Sequence, residues 1–144
     1  MKSGANRHEE KLVKPAIRYA ACLRGLNVGA KNRVAMADLR DVFQQVGVDA
    51  VETYIQSGNV VFSSHETEAV LVPLLEVAFL ERFGFASPVL IRSGSELRAI
   101  LEACPFTEDE KRGAETGDDV EHLHVALLGT VPPEAAVAKV MSYG

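Results

Sequence analysis

Two short segments hold the residues best equipped for specific chemistry. Arg24, Asn27, Lys31 and Asn32 lie along the stretch Leu23-Arg24-Gly25-Leu26-Asn27-Val28-Gly29-Ala30-Lys31-Asn32, and Gln56, Ser57 and Asn59 surround Gly58. An arginine grips phosphate or carboxylate with a forked pair of hydrogen bonds, and a lysine adds a point charge. Glycines let backbone amides come close to a ligand. This combination suits a small phosphate- or nucleotide-like anion. Neither segment contains a carboxylate, a histidine or a cysteine, so no residue stands ready as general acid, general base or activated nucleophile. Ser57 has a hydroxyl but no base beside it, no catalytic residue is assigned, and a non-enzymatic role is favoured. The stretch from Gly25 to Lys31 has neither the G-x-x-x-x-G-K-[ST] nor the G-x-G-x-x-G spacing of nucleotide loops. Turn formation is the rival reading, because glycine and asparagine both suit left-handed turn positions. It leaves Arg24, Lys31 and Gln56 unexplained.

Other reactive residues offer less. His122 and His124, two apart on an expected strand, would share a face, but a metal needs further ligands that the sequence does not nominate, so no metal or cofactor is expected. His8 and His65 stand alone in tail and loop. Cys22 and Cys104 read as small packed side chains, and two isolated cysteines form no disulfide framework.

The elements that must position these residues follow from periodicity. Ile17, Tyr19, Ala21 and Leu23 alternate with Arg18, Ala20, Cys22 and Arg24, the pattern of a strand with one covered face. Met36, Leu39, Phe43 and Val46 recur at helical spacing before Gly47. Val51–Ile55 and Val60–Ser63 form an expected hairpin about Gln56–Asn59. Ser63 and Glu66 are spaced for a capping box ahead of a helix burying Leu71, Leu74, Leu75, Ala78 and Phe79 and closing at Gly84. Pro88–Ile91 is a short strand, and Ser93 with Glu96 caps another helix. His122–Leu128 reads as a strand, and Pro132-Pro133 opens a helix with Val137, Val140 and Met141 on one side.

The expected architecture is α+β: a ferredoxin-like βαββαβ antiparallel sheet over residues 17–92, with two helices on one face. A polar tail (1–16) precedes it, and a small, incomplete α+β lobe (93–144) follows. In such a sheet the first strand neighbours the third, so the end of strand one meets the start of strand three and the two polar segments converge.

The chain has 144 residues, 20 acidic and 15 basic side chains, a net charge of −5 and no tryptophan. No run approaches the roughly 20 apolar residues of a spanning helix, and the first fifteen residues lack the apolar core of a secretory signal. A cytoplasmic location is expected. The charge is uneven: residues 1–37 hold eight basic side chains against Glu9 and Glu10, a local +6, whereas 107–121 carries −5 and reads as a solvated loop.

Leu23 to Gly29, Lys31 to Leu39, Thr53-Tyr54-Ile55-Gln56-Ser57-Gly58-Asn59-Val60-Val61-Phe62 and His122-Leu123-His124-Val125 together resemble the bacterial family called domain of unknown function 1697, over about residues 17–144. The resemblance implies an α+β protein with a ferredoxin-like first part and no activity to carry over. Members usually continue further, with a segment like T-x-R-N-W that is absent here.

Anion binding at the converging loops is therefore the first expectation for function. Single-stranded nucleic-acid binding on the open sheet face, with Tyr19 and Phe62 on the central strands, is an alternative. Homo-oligomeric assembly through the open face or the C-terminal lobe is another. No membrane partner is expected.

Overall fold

The computed structural model describes residues 14–116 and 124–143. Most of the expected N-terminal tail lies outside these residues. The elements are β1 (Ile17–Leu23), α1 (Met36–Gln45), β2 (Asp49–Tyr54), β3 (Asn59–Ser64), α2 (Glu68–Phe83), β4 (Val89–Ser93), α3 (Gly94–Glu102), α4 (Glu108–Thr116) and α5 (Glu134–Met141).

Residues 17–93 form the expected ferredoxin-like βαββαβ arrangement. The sheet order is β2-β3-β1-β4 with every pair antiparallel, which makes β1 and β3 the central strands. The alternation read in β1 holds: Tyr19, Ala21 and Leu23 are buried on the helix side, and Arg18, Ala20 and Cys22 occupy the other face. Their core neighbours are Val60 and Phe62 of β3 and Val89 and Ile91 of β4. α1 contributes Leu39, Val42 and Phe43, and α2 contributes Leu71, Leu75 and Phe79. Phe62 is the pivot of the core, with its ring 5.6 Å from that of Tyr19 and 5.3 Å edge-on from that of Phe43.

Arg18 organises the open face. Its guanidinium crosses β3 to reach the Ala50 carbonyl (3.0 Å) and the Glu52 carboxylate (2.7 Å), pinning β2 at the bulge where the register shifts between Asp49 and Glu52. Ala50 takes a φ of +49° there, the local price of inserting an extra residue into one strand.

Several expectations are corrected. Ser63 and Glu66 do not form a capping box. The helix begins four residues later than that box would place it, with Thr67 at its N-cap and no side-chain cap bond, and the buried Ser64 hydroxyl accepts the Glu66 amide instead. Leu74 is exposed: Leu71, Leu75 and Phe79 alone make the buried stripe, and Leu74 lies on the far side of α2. The Ser93–Glu96 box forms fully, with both reciprocal bonds. The acidic stretch is not simply a loop. α4 grows from Thr107, whose hydroxyl accepts the Glu110 amide while the Glu110 carboxylate accepts the Thr107 amide, the same reciprocal cap overlooked behind the charge run. Residues 124–128 carry no strand; the first two residues of the expected strand lie outside the described ones. α5 forms as expected behind Pro133, but Val137, Val140 and Met141 are exposed.

Candidate functional site

The antiparallel registers gather three connections at one end of the sheet. Cys22 pairs with Asn59 and Leu23 with Val89, so the end of β1 meets the starts of β3 and β4. The loop 24–35, the turn 55–58 and the segment 84–88 leave the sheet side by side. The convergence expected from topology is present, and hydrogen bonds stitch it together.

Asn27 is the main stitch. Held at φ +54°, it uses its amide nitrogen to donate to the carbonyls of Val34 and Gln56 (both 3.1 Å), and its side-chain oxygen accepts the Val34 amide at 2.8 Å. Its own backbone amide donates to the Asn32 carbonyl. Asn32, at φ +55°, donates its side-chain amide to the Gly25 carbonyl at 3.3 Å. In the facing turn, the Ser57 hydroxyl donates to the Tyr54 carbonyl and accepts from the Asn59 amide at 2.8 Å. Gly58 sits under the loop at φ +80°: its carbonyl accepts the Leu23 amide, and a Cβ there would lie 3.0 Å from both the Leu23 carbonyl oxygen and the Leu26 side chain.

The seven residues singled out by sequence therefore divide by role. Asn27, Asn32, Ser57 and Asn59 spend their side-chain groups on the loops themselves, so turn chemistry accounts for them. Gln56 is exposed and lends its carbonyl to Asn27. Arg24 and Lys31 are exposed, and neither makes a side-chain hydrogen bond or ion pair to another described residue.

Two contributors were not singled out. Ser87, nearly inaccessible, donates its hydroxyl to the Arg24 carbonyl at 2.9 Å, and the Arg24 amide donates to the Pro88 carbonyl. Arg24 is thus clamped by its backbone, while its side chain is exposed and bonds to no other described residue. A lone serine before a proline gives no sequence signal of this. Arg33 is the other: it follows Asn32, which touches Gly25, so Lys31 and Arg33 flank the point where the loop folds back beside Arg24. It too is exposed with no ion pair to a described residue. Its place in the basic quarter could have suggested it.

Three arginines elsewhere are paired with carboxylates, Arg18 with Glu52, Arg82 with Asp38 and Arg92 with Glu68, whereas Arg40 donates to the Thr53 hydroxyl and Arg98 is exposed on α3 with no ion pair to a described residue. The remaining candidates are placed as follows. Cys22 is half-buried on the open face, and its burial pushes the thiol pKa up, with Arg92 opposing. A raised pKa disfavours the thiolate, the reactive form of a cysteine. No group of three or more histidine, cysteine or acidic residues able to hold a metal occurs among the described residues. Tyr19 and Phe62 face the helices, stacked on each other, and present no ring on the open face for a base. No helix among the described residues is long and apolar enough to cross a membrane.

Beside the loops, a cleft of about 640 Å³ runs between the open face of β1 and β4 and residues 125–129, with Arg24 at one end. The segment 125–129 is anchored by Arg92, whose guanidinium donates to the Leu128 carbonyl at 2.9 Å while pairing with Glu68.

The chain is similar to the conserved bacterial protein SP0830 from Streptococcus pneumoniae, with 41% identity and a TM-score of 0.59 over 63% of this chain. The match spans about half of the streptococcal chain, 51%. No curated protein matches at a significant level. Residues 17–144 match the model of a family described as protein of unknown function, DUF1697, and the chain belongs to that family.

Proposed function

We propose that the protein binds a small anion, phosphate-like in its charged group, at the loop following β1, with Arg24 as the principal contact and Lys31 and Arg33 as supporting charges. One observation carries this reading: a loop tied down by its own asparagines, with the Arg24 backbone clamped by Ser87 and Pro88, offers cations that have no carboxylate partner among the described residues. A rigid support lowers the ordering cost of binding. An arginine that needs no ion pair broken first can give both donors to the ligand.

The side-chain amides contribute to this reading only by holding the loop, so the ligand contacts are the cations and exposed backbone amides. In a thermal-shift assay at low ionic strength, phosphate raises the melting temperature of the wild-type protein. Arg24→Ala removes the rise, while Arg98→Ala, an exposed cation on α3, keeps it. An equal rise in wild type and Arg24→Ala contradicts the proposal.

Self-association has one supporting observation of its own. Val70, Leu74, Val77 and Leu80 form an exposed apolar stripe along the outer side of α2, larger than the scattered apolar residues of a typical surface. Light scattering on the wild type and on Leu74→Glu checks this: a dimer that becomes a monomer supports it, and a wild-type monomer at high concentration removes it.

A further inference from the structure

We infer that the anion is amphiphilic: one charged phosphate or carboxylate head for Arg24, joined to an apolar body of aromatic or short acyl size that occupies the cleft between the sheet and residues 125–129. This inference rests on the anion-binding reading and adds the class of ligand.

The argument begins with size. At about 640 Å³ the cleft falls within the range of small-molecule sites, roughly 300–1,000 Å³, far more room than an inorganic anion occupies. Its lining is mainly apolar. Cys22 and Leu90, register neighbours on the open face, form the floor. Leu127 and Leu128 belong to the opposite wall.

Charge gives the second step. Among the described residues lining the cleft, Arg24 is the one that is charged and none is a carboxylate. An apolar ligand with an anionic end meets a guanidinium at one end of the cleft and no carboxylate of a described lining residue along it. A cation meets only repulsion there.

The far wall provides the third step. Val125, Ala126 and Leu127 make no backbone hydrogen bond to another described residue, although the segment is held at Leu128 by Arg92. Backbone amides along a cleft wall that have no acceptor among the described residues can donate to the oxygens of an ester. The Arg92–Glu68 pair fixes the wall without putting its own charge among the residues lining the cleft.

The test uses the full chain and calorimetric titration with inorganic phosphate, phenyl phosphate and phenol. Phenyl phosphate should bind at least about tenfold more tightly than phosphate, the gain expected from taking an aromatic ring out of water, and phenol alone should not bind measurably. Arg24→Ala loses both anions. Ala126→Trp, at an exposed position outside any helix or strand, fills the cleft and removes the advantage of phenyl phosphate while leaving phosphate binding intact. In a chain with no other tryptophan, the new indole also reports directly on an occupant through its fluorescence. Leu90→Ala, which lowers the floor of the cleft, gives an independent check by reducing the phenyl phosphate advantage. Equal affinities for phosphate and phenyl phosphate, or an advantage that survives Ala126→Trp, overturn this inference and leave anion binding standing. Binding of neither anion overturns both.

Discussion

At the scale of single residues, positions that look like ligand groups are largely fasteners. The Asn27 side chain makes three hydrogen bonds while the residue sits in a left-handed conformation. Replacing it with alanine leaves the Val34 amide and two carbonyls without their partner and adds strain at positive φ. Asn27→Ala should lower stability by about 2–3 kcal/mol, measurable by urea denaturation. Ile55 has the opposite problem. It is a β-branched residue at φ +45° with 67% of its surface exposed, so it carries strain and gains little burial. Ile55→Gly should raise stability by about 0.5–1 kcal/mol in the same measurement, and a loss would show that the side chain makes a packing contribution its exposure does not reveal. The sequence made Asn27 and Asn59 legible as turn formers or binders but could not choose between these roles, because the choice depends on which carbonyls the fold brings within reach. Ser87 was invisible because its value comes from a contact with Arg24, sixty-three positions away in the chain.

At the scale of elements, periodicity and capping signals served where burial was one-sided. The strand alternation from Ile17 to Leu23 and the box at Ser93 and Glu96 were legible because each is local. α4 is not legible from composition because its dense charge reads as a solvated loop, while the helix is set by the reciprocal cap at Thr107 and Glu110. Leu74 was misplaced because α2 is apolar on more than one side and its pattern does not say which stripe faces the sheet. The α3 cap yields a pH prediction. The Glu96 carboxylate accepts the Ser93 amide and then the Ser93 hydroxyl, which holds its pKa below the ordinary glutamate value of 4.5. A depressed folded-state pKa means that this stabilisation is complete above the unfolded-state value and fades as pH falls through the folded-state value. Wild type should therefore be more stable than Glu96→Gln at pH 7, and the difference should shrink progressively below about pH 4.5. Chemical denaturation of both proteins from pH 7 to pH 3 checks this; a gap that stays constant or widens on acidification contradicts the assigned cap. Ser93→Ala should cost about 1 kcal/mol at neutral pH.

At the scale of the whole molecule, topology does what no single motif does. The order β2-β3-β1-β4 carries two segments far apart in sequence to one end of a sheet, and their mutual hydrogen bonds create a firm base for Arg24. The net charge of −5 conceals this, because the acidic surplus lies in residues 107–121, outside the two converging segments in the sequence. Attraction between exposed charges is screened over about 8 Å at physiological salt, so the local cations decide what approaches the loop. Anion affinity should accordingly fall as sodium chloride rises from 20 to 300 mM. The most direct test of the central claim is calorimetric titration of phosphate into wild type, Arg24→Lys and Arg24→Ala at low ionic strength. The account predicts saturable binding to wild type, weaker binding to Arg24→Lys because a point charge replaces the fork, and none to Arg24→Ala. Equal affinity in all three proteins, or no binding to any, would contradict it.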